Sequence, residues 1–535
     1  MGPGSRPQLV PLISLALLKL IVSAVMLGQG VTAISDDDFA RVVIAQDFAA
    51  HPRLDPSGTS WLPLPFWAYG APMLLLGDSL QVARGVAVGL GVLSVWLVWA
   101  AARLFGASPR GAALGAAASA VFPYSAWLGV ATVPELPTAA LTLFALGCSA
   151  RASELLGRPP PADGRPSRLP WMCALLGALA ITAACASRYE AWPVALGLAL
   201  VTLRDARRAV PRGLDPSATP GVHWLERGRR PWLLAALVAL CFPLAWLLHG
   251  LVLHDDPLFF VRRVTEYKRA LGGSAAGVLQ VLSTYPAAFL RAEPELVLVG
   301  AALTCWAGTS LRWRRAACLL GGALLALVVG DLRGGGPTHH AERALLTGWL
   351  FVAVLAGDAL LRLARPRPLF AARVARLPPK LAVGVALGAV TLIAWGAHGL
   401  RRPDLTSASF QQRVDEIAAG RLLRTLAAPT DPVVVATDDY GYFAVLAALG
   451  SPGRAHVLED HDPRRSSGAS PSPEERQRRL LELAAATKSR WLVVPRVWSA
   501  GPALGRPQTE SGALEIRRLT PGEAGENSPA RARLH

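Results

Sequence analysis

The chain has 535 residues, is 52% hydrophobic and has a mean hydropathy of +0.36, which is too apolar for two or three soluble domains of that length. In a soluble protein, a formal net charge of +17 and a pI near 10.5 would raise nucleic acid as a partner. Here the arginines crowd into short gaps between alternate apolar segments, the positive-inside distribution of a membrane protein, and no nucleic-acid partner is expected.

Taken in order, apolar segments at 9–34, 80–102, 109–127, 134–150, 170–187, 190–203, 232–253, 295–311, 316–330, 344–361 and 381–400 predict about 11 membrane spans. The first reads as a retained signal anchor. With the arginine-rich gaps inside, the N-terminus is cytoplasmic and everything after about Arg401 lies outside, across what the strong preference for arginine over lysine suggests is a bacterial inner membrane. The six cysteines lie in or at the ends of apolar segments with no metal or redox spacing, and read as small core residues.

The expected architecture is an α-helical polytopic membrane unit over residues 1–400, whose first extracytoplasmic loop is 35–79, followed by a small extracytoplasmic α/β domain over 401–535. In that second unit the pattern predicts helices at Gln411–Thr425 and Tyr442–Leu449, strands at Val433–Thr437, His456–Glu459 and Trp491–Pro495, and a helix opened by Ser472, Pro473 and Glu475. A second long loop, 254–294, opens with HDDPLFF and places Arg262, Arg263, Lys268 and Arg269 among aromatics, the pattern of an interfacial helix.

The chemistry-bearing residues gather where apolar segments end. Asp36, Asp37 and Asp38 follow the first span, ahead of an amphipathic run and a proline-punctuated aromatic run from Trp61 to Tyr69. Three adjacent aspartates are an ordinary solvated or cation-attracting loop start. Beside a membrane exit, burial and mutual repulsion raise at least one pKa and suit a general base. Glu135, between Pro134 and Pro137, reads either as a functional acid at the outer face or as an N-terminal acid complementing a helix dipole.

Arg188, Tyr189 and Glu190 form a short turn whose arginine pairs with an acid or binds phosphate. In GGGPTHHAER, His339 and His340 are adjacent and poorly spaced to chelate one metal, whereas Glu342 and Arg343 open a late span facing a cavity. Asp438 and Asp439 follow a strand, where α/β domains place ligands and where turns are also capped.

The acidic pair after the first span, the Trp-x-Pro-Leu element at Trp61–Leu64, the acid Glu135, Arg188-Tyr189-Glu190 and Glu342-Arg343 together resemble the GT-C superfamily of polytopic glycosyltransferases. The pattern is most similar to the protein mannosyltransferase and aminoarabinose transferase families, over about residues 9–400. The resemblance implies transfer of a monosaccharide from a polyprenyl-phosphate donor to a hydroxyl of a glycan, lipid or protein acceptor, on the extracytoplasmic side and with inversion. It implies catalytic roles for Glu135 and for Asp36 or Asp37, with Phe39 favouring Asp36 and the pair Asp37 and Asp38 favouring Asp37. Asp38, Trp61, Arg188, Glu190, His340, Glu342 and Arg343 are then substrate-binding candidates. No cofactor is demanded, and a divalent cation, Mg or Mn, stands as a candidate. The alternative is a transporter or lipid flippase for a glycolipid or anionic substrate, which would place its acids near the membrane midplane.

Overall fold

The structure is a computed structural model that describes residues 9–158, 168–208, 222–270, 277–307, 310–333, 341–363, 412–458, 472–498 and 506–519. Among these, five helices are long and apolar enough to cross a membrane: α1 (Leu9–Gly28), α4 (Leu80–Leu104), α7 (Glu135–Leu156), the Arg230–His254 part of α10 (Val222–His254) and α14 (Leu311–Leu332). Shorter apolar helices are α3 (Leu64–Leu76), α8 (Leu169–Cys185) and residues Pro294–Cys305 of α13 (Pro294–Ala307). The chain is therefore a multi-pass helical membrane protein. The expected count of about 11 spans is not reached among the described residues, and the predicted segment 381–400 lies outside them.

Local sequence explains where the helices depart from the apolar segments. The first stops at Gly28, and Gly30, with φ of +86°, turns the chain out before Ile34. The segment 109–127 is two helices, α5 (Pro109–Val121) and α6 (Pro123–Leu128). Phe122 between them is extended because the ring of Pro123 excludes the helical conformation from the residue before it. The loop 35–79 contains α2 (Asp36–Ala50) as well as α3. The 254–294 loop holds α11 (Phe259–Ala270) and α12 (Val278–Ala292), and Phe259 and Phe260 are buried against Leu62 and Trp246.

At the centre of the bundle, α7 packs on α4, α8, α9 (Trp192–Arg208), α14 and α16 (Leu346–Leu363). Small residues allow the close approaches that hold membrane helices together. Where α5 crosses α16, a Cβ on Gly357 would lie 2.5 Å from the backbone N of Gly115. The outward faces carry the leucines expected against lipid, among them Leu233, Leu237, Leu244 and Leu251 on α10.

The C-terminal unit is a five-stranded sheet of order β2-β1-β3-β5-β4. Strands β1 (Val433–Val435), β2 (Ala455–Val457) and β3 (Trp491–Pro495) are parallel, connected through α18 (Tyr442–Leu449) and α19 (Pro473–Thr487) and preceded by α17 (Val414–Leu426). Antiparallel β5 (Leu514–Arg518) and β4 (Arg506–Ser511) complete it as a hairpin turning at Gly512, φ +56°. Helix α2 lies between the two units: Phe39, Val42 and Ala45 share a core with Tyr69 and Ala83 and also with Ile417, Ala444 and Ala447.

Candidate active site

The first turn of α2 distributes its three aspartates to three environments. Asp38 is buried and accepts from the backbone N–H of Ile34 (3.0 Å), Ser35 (3.1 Å) and Thr132 (2.8 Å). Burial pushes its carboxyl up, and these donors together with Arg343 act against that rise. Its oxygens are thus occupied in tying the helix start to the loop before α7. Asp36 turns the other way and receives a bidentate grip from Arg413, Nε to Oδ1 and Nη2 to Oδ2 both at 2.8 Å. Asp37 lies between them with 45% of its side chain exposed and Nη1 of Arg343 at 3.4 Å.

Behind Asp37 stands Glu135, the first residue of α7, with a fully buried side chain. Its Oε1 pairs with Arg188 and lies 3.6 Å from Arg343, while its Oε2 has no hydrogen-bond partner among the described residues. Arg188 is also held by Glu190, its Nε 3.1 Å from both carboxylate oxygens. Arg343, on the one-turn helix α15 (Ala341–Ala344), donates Nη2 to Ser35 Oγ at 2.9 Å and so ties the late loop back to the N-cap of α2. Glu342 precedes it, near enough to Tyr124 to act on it electrostatically. His340 lies outside the described residues.

Trp61 belongs to the same rim. Its loop is shaped by Asp55, which accepts from the backbone N–H of Ser57 and Gly58, and its ring lies under the guanidinium of Arg41 at 4.4 Å. Arg41 is one of two site residues that sequence reasoning missed. It is buried, has no partner for Nε among the described residues, and faces Asp37, Glu135, Arg188 and Arg343 electrostatically. Its signal was present, since it stands four residues after Asp37 on one helix face. Arg413 was missed as well, and no local pattern near Asp36 points to it.

From this charged rim a cavity of about 460 Å³ runs down between α7, α9, α12, α14 and α16. Glu135, Arg188, Glu190 and Arg343 line its polar end, and Leu290, Leu320, Leu324, Leu327 and Phe351 are among the apolar residues below. Among the described residues no group of three or more His, Cys, Asp or Glu side chains is arranged to hold a metal ion, and Asp36, Asp37 and Glu135 each face a guanidinium.

A charged rim above a helical bundle, a long apolar α7 that begins at the site, and a C-terminal α/β unit make up a fold shared with solved structures of ArnT. ArnT from Cupriavidus metallidurans bound to undecaprenyl phosphate superposes with a TM-score of 0.57 at 14% identity, over 95% of this chain and 99% of that one. Its apo state gives 0.53 at 15% identity, over 96% and 98%. The archaeal oligosaccharyltransferase AglB from Archaeoglobus fulgidus, in complex with an inhibitory peptide and a dolichol-phosphate, gives 0.48 at 13% identity, over 91% of this chain and 69% of that one. No family model matches the chain, and no curated protein matches it in sequence.

Proposed function

We propose that the chain is a membrane glycosyltransferase that moves a monosaccharide from a polyprenyl-phosphate donor to an acceptor hydroxyl at the extracytoplasmic face, with inversion. The observation that carries this reading is the cavity, polar at a rim of arginines and carboxylates and apolar below, which matches an anionic headgroup on an isoprenoid tail. The ArnT match to a structure bound to undecaprenyl phosphate supports the same donor class.

In this mechanism Asp37 takes the proton from the acceptor hydroxyl, because Asp36 and Asp38 are committed to protein partners and Asp37 alone of the three is half exposed. The acceptor oxygen attacks the anomeric carbon, the bond from that carbon to the phosphate oxygen breaks, and the lipid phosphate leaves with the electron pair. Arg343, Arg188 and Arg41 offset the charge that develops on it. Glu135 holds two of these arginines in place and presents its free Oε2 to a hydroxyl of the donor sugar.

The test is transfer from labelled polyprenyl-phosphate sugars by the purified protein. Asp37→Asn lowers turnover by about 1000-fold, within the range for loss of a general base. Retained transfer in Asp37→Asn removes the base assignment. Translocation of the donor across a bilayer by wild type, with no covalent transfer to any acceptor, replaces the enzyme reading with the flippase.

A further inference from the structure

The grip on Asp36 comes from a residue far along the chain. Arg413 immediately precedes α17 and gives Nε and Nη2 to the two oxygens of Asp36, Nη2 also to Asp439 (2.7 Å) and Nη1 to Glu416 (3.0 Å). Asp439 sits just beyond the carboxyl end of β1, where its other oxygen accepts from the backbone N–H of Gly441 at 2.9 Å. The crest of the small α/β unit, where such folds place their ligands, is therefore turned onto the start of α2. Arg413 also has φ of +50°, a left-handed conformation uncommon in a residue with a Cβ, and it persists only when its surroundings over-determine it. Further along α2, Gln46 donates to the carbonyls of Ala447 (2.9 Å) and Asp78 (2.8 Å), so the helix is fastened to both units along its length.

We propose that Arg413 is a positioning residue for the sugar transfer: its fork fixes the first turn of α2 and thereby aims Asp37 at the mouth of the cavity. The inference rests on the reading of Asp37 as the base. Without the fork, Asp36 and Asp439 stand together without their shared cation, and the turn that carries Asp37 loses one of its anchors, keeping those on Asp38 and Ser35. Displacement of a reacting group by about 1 Å costs on the order of 100-fold in rate.

The experiment uses the full chain in lipid nanodiscs with a labelled polyprenyl-phosphate sugar. It compares Arg413→Lys, Arg413→Gly, Asp36→Asn and the double Asp36→Asn/Arg413→Lys, with Asp37→Asn alongside. Lysine keeps a charge and loses the fork, whereas glycine relieves the positive φ and so spares the backbone. Each single Arg413 or Asp36 change should lower kcat by about 10- to 100-fold, with KM for the donor and thermal midpoint near wild type. The double variant should fall no further than its worse single, as expected for two ends of one contact.

Wild-type kcat in Arg413→Gly beside an inactive Asp37→Asn overturns the clamp alone. Full transfer by Asp37→Asn overturns the base assignment and, with it, the reason for the clamp. Losses of kcat that follow losses of thermal midpoint and donor binding in every variant assign Arg413 to folding and overturn the proposal too.

Discussion

At the scale of single residues, the site is a set of charges that stay buried by satisfying one another. Glu135 has a fully buried side chain, and Arg188 bridges it to Glu190. Arg188→Ala leaves two carboxylates without that shared partner, and breaking a buried ion pair from one side costs about 3–5 kcal/mol. We expect the variant to lose transfer and to show a lower thermal midpoint in a detergent melt. Arg188→Lys should recover part of the midpoint and little of the turnover, because an ammonium restores the charge without the planar fork. Sequence alone offered Asp36, Asp37, Asp38, Glu135, Arg188 and Arg343 among its candidates, since each stands at the end of an apolar segment, and the fold brings these six to one rim. It left open which aspartate is free, because that depends on partners such as Thr132 and Arg413, which lie 94 and 377 positions from the aspartates they hold.

At the scale of elements, legibility followed local chemistry. Tyr442–Leu449, the helix opened by Ser472 and the strand Trp491–Pro495 appear where their apolar runs and capping residues place them. The hairpin of β4 and β5 was not anticipated, as RPQTES and LEIRR are too polar to read as buried strands, although the Ser511-Gly512 step carried a turn signal. The break at Phe122 was readable from Pro123 and was hidden by continuous apolarity on both sides. The crossing of α5 and α16 is the element-level contact most exposed to test. A methyl at Gly357 would meet Gly115 N at 2.5 Å and Gly111 O at 2.8 Å, both backbone atoms that cannot step aside. Gly357→Ala should therefore cost about 1–3 kcal/mol through overpacking, read as a fall in thermal midpoint with the donor KM preserved in the protein that remains folded.

At the scale of the whole molecule, the proposed function requires the rim of the bundle and the α/β unit to share one aqueous face. Leu54, 84% exposed in the loop after α2, offers a place to check it. Leu54→Cys in intact cells should react with a membrane-impermeant thiol reagent added from outside. Labelling only after lysis would put the site on the wrong side for a donor carried across on a lipid.

The contact between Asp36 and Arg413 joins residues 377 positions apart in the sequence. A ribosome that has passed α16 has made Asp37, Asp36 and the residues lining the cavity, but not Arg413. Under the proposed function, a chain that ends after α16 should therefore bind the lipid donor and turn it over about 10- to 100-fold more slowly than the full chain.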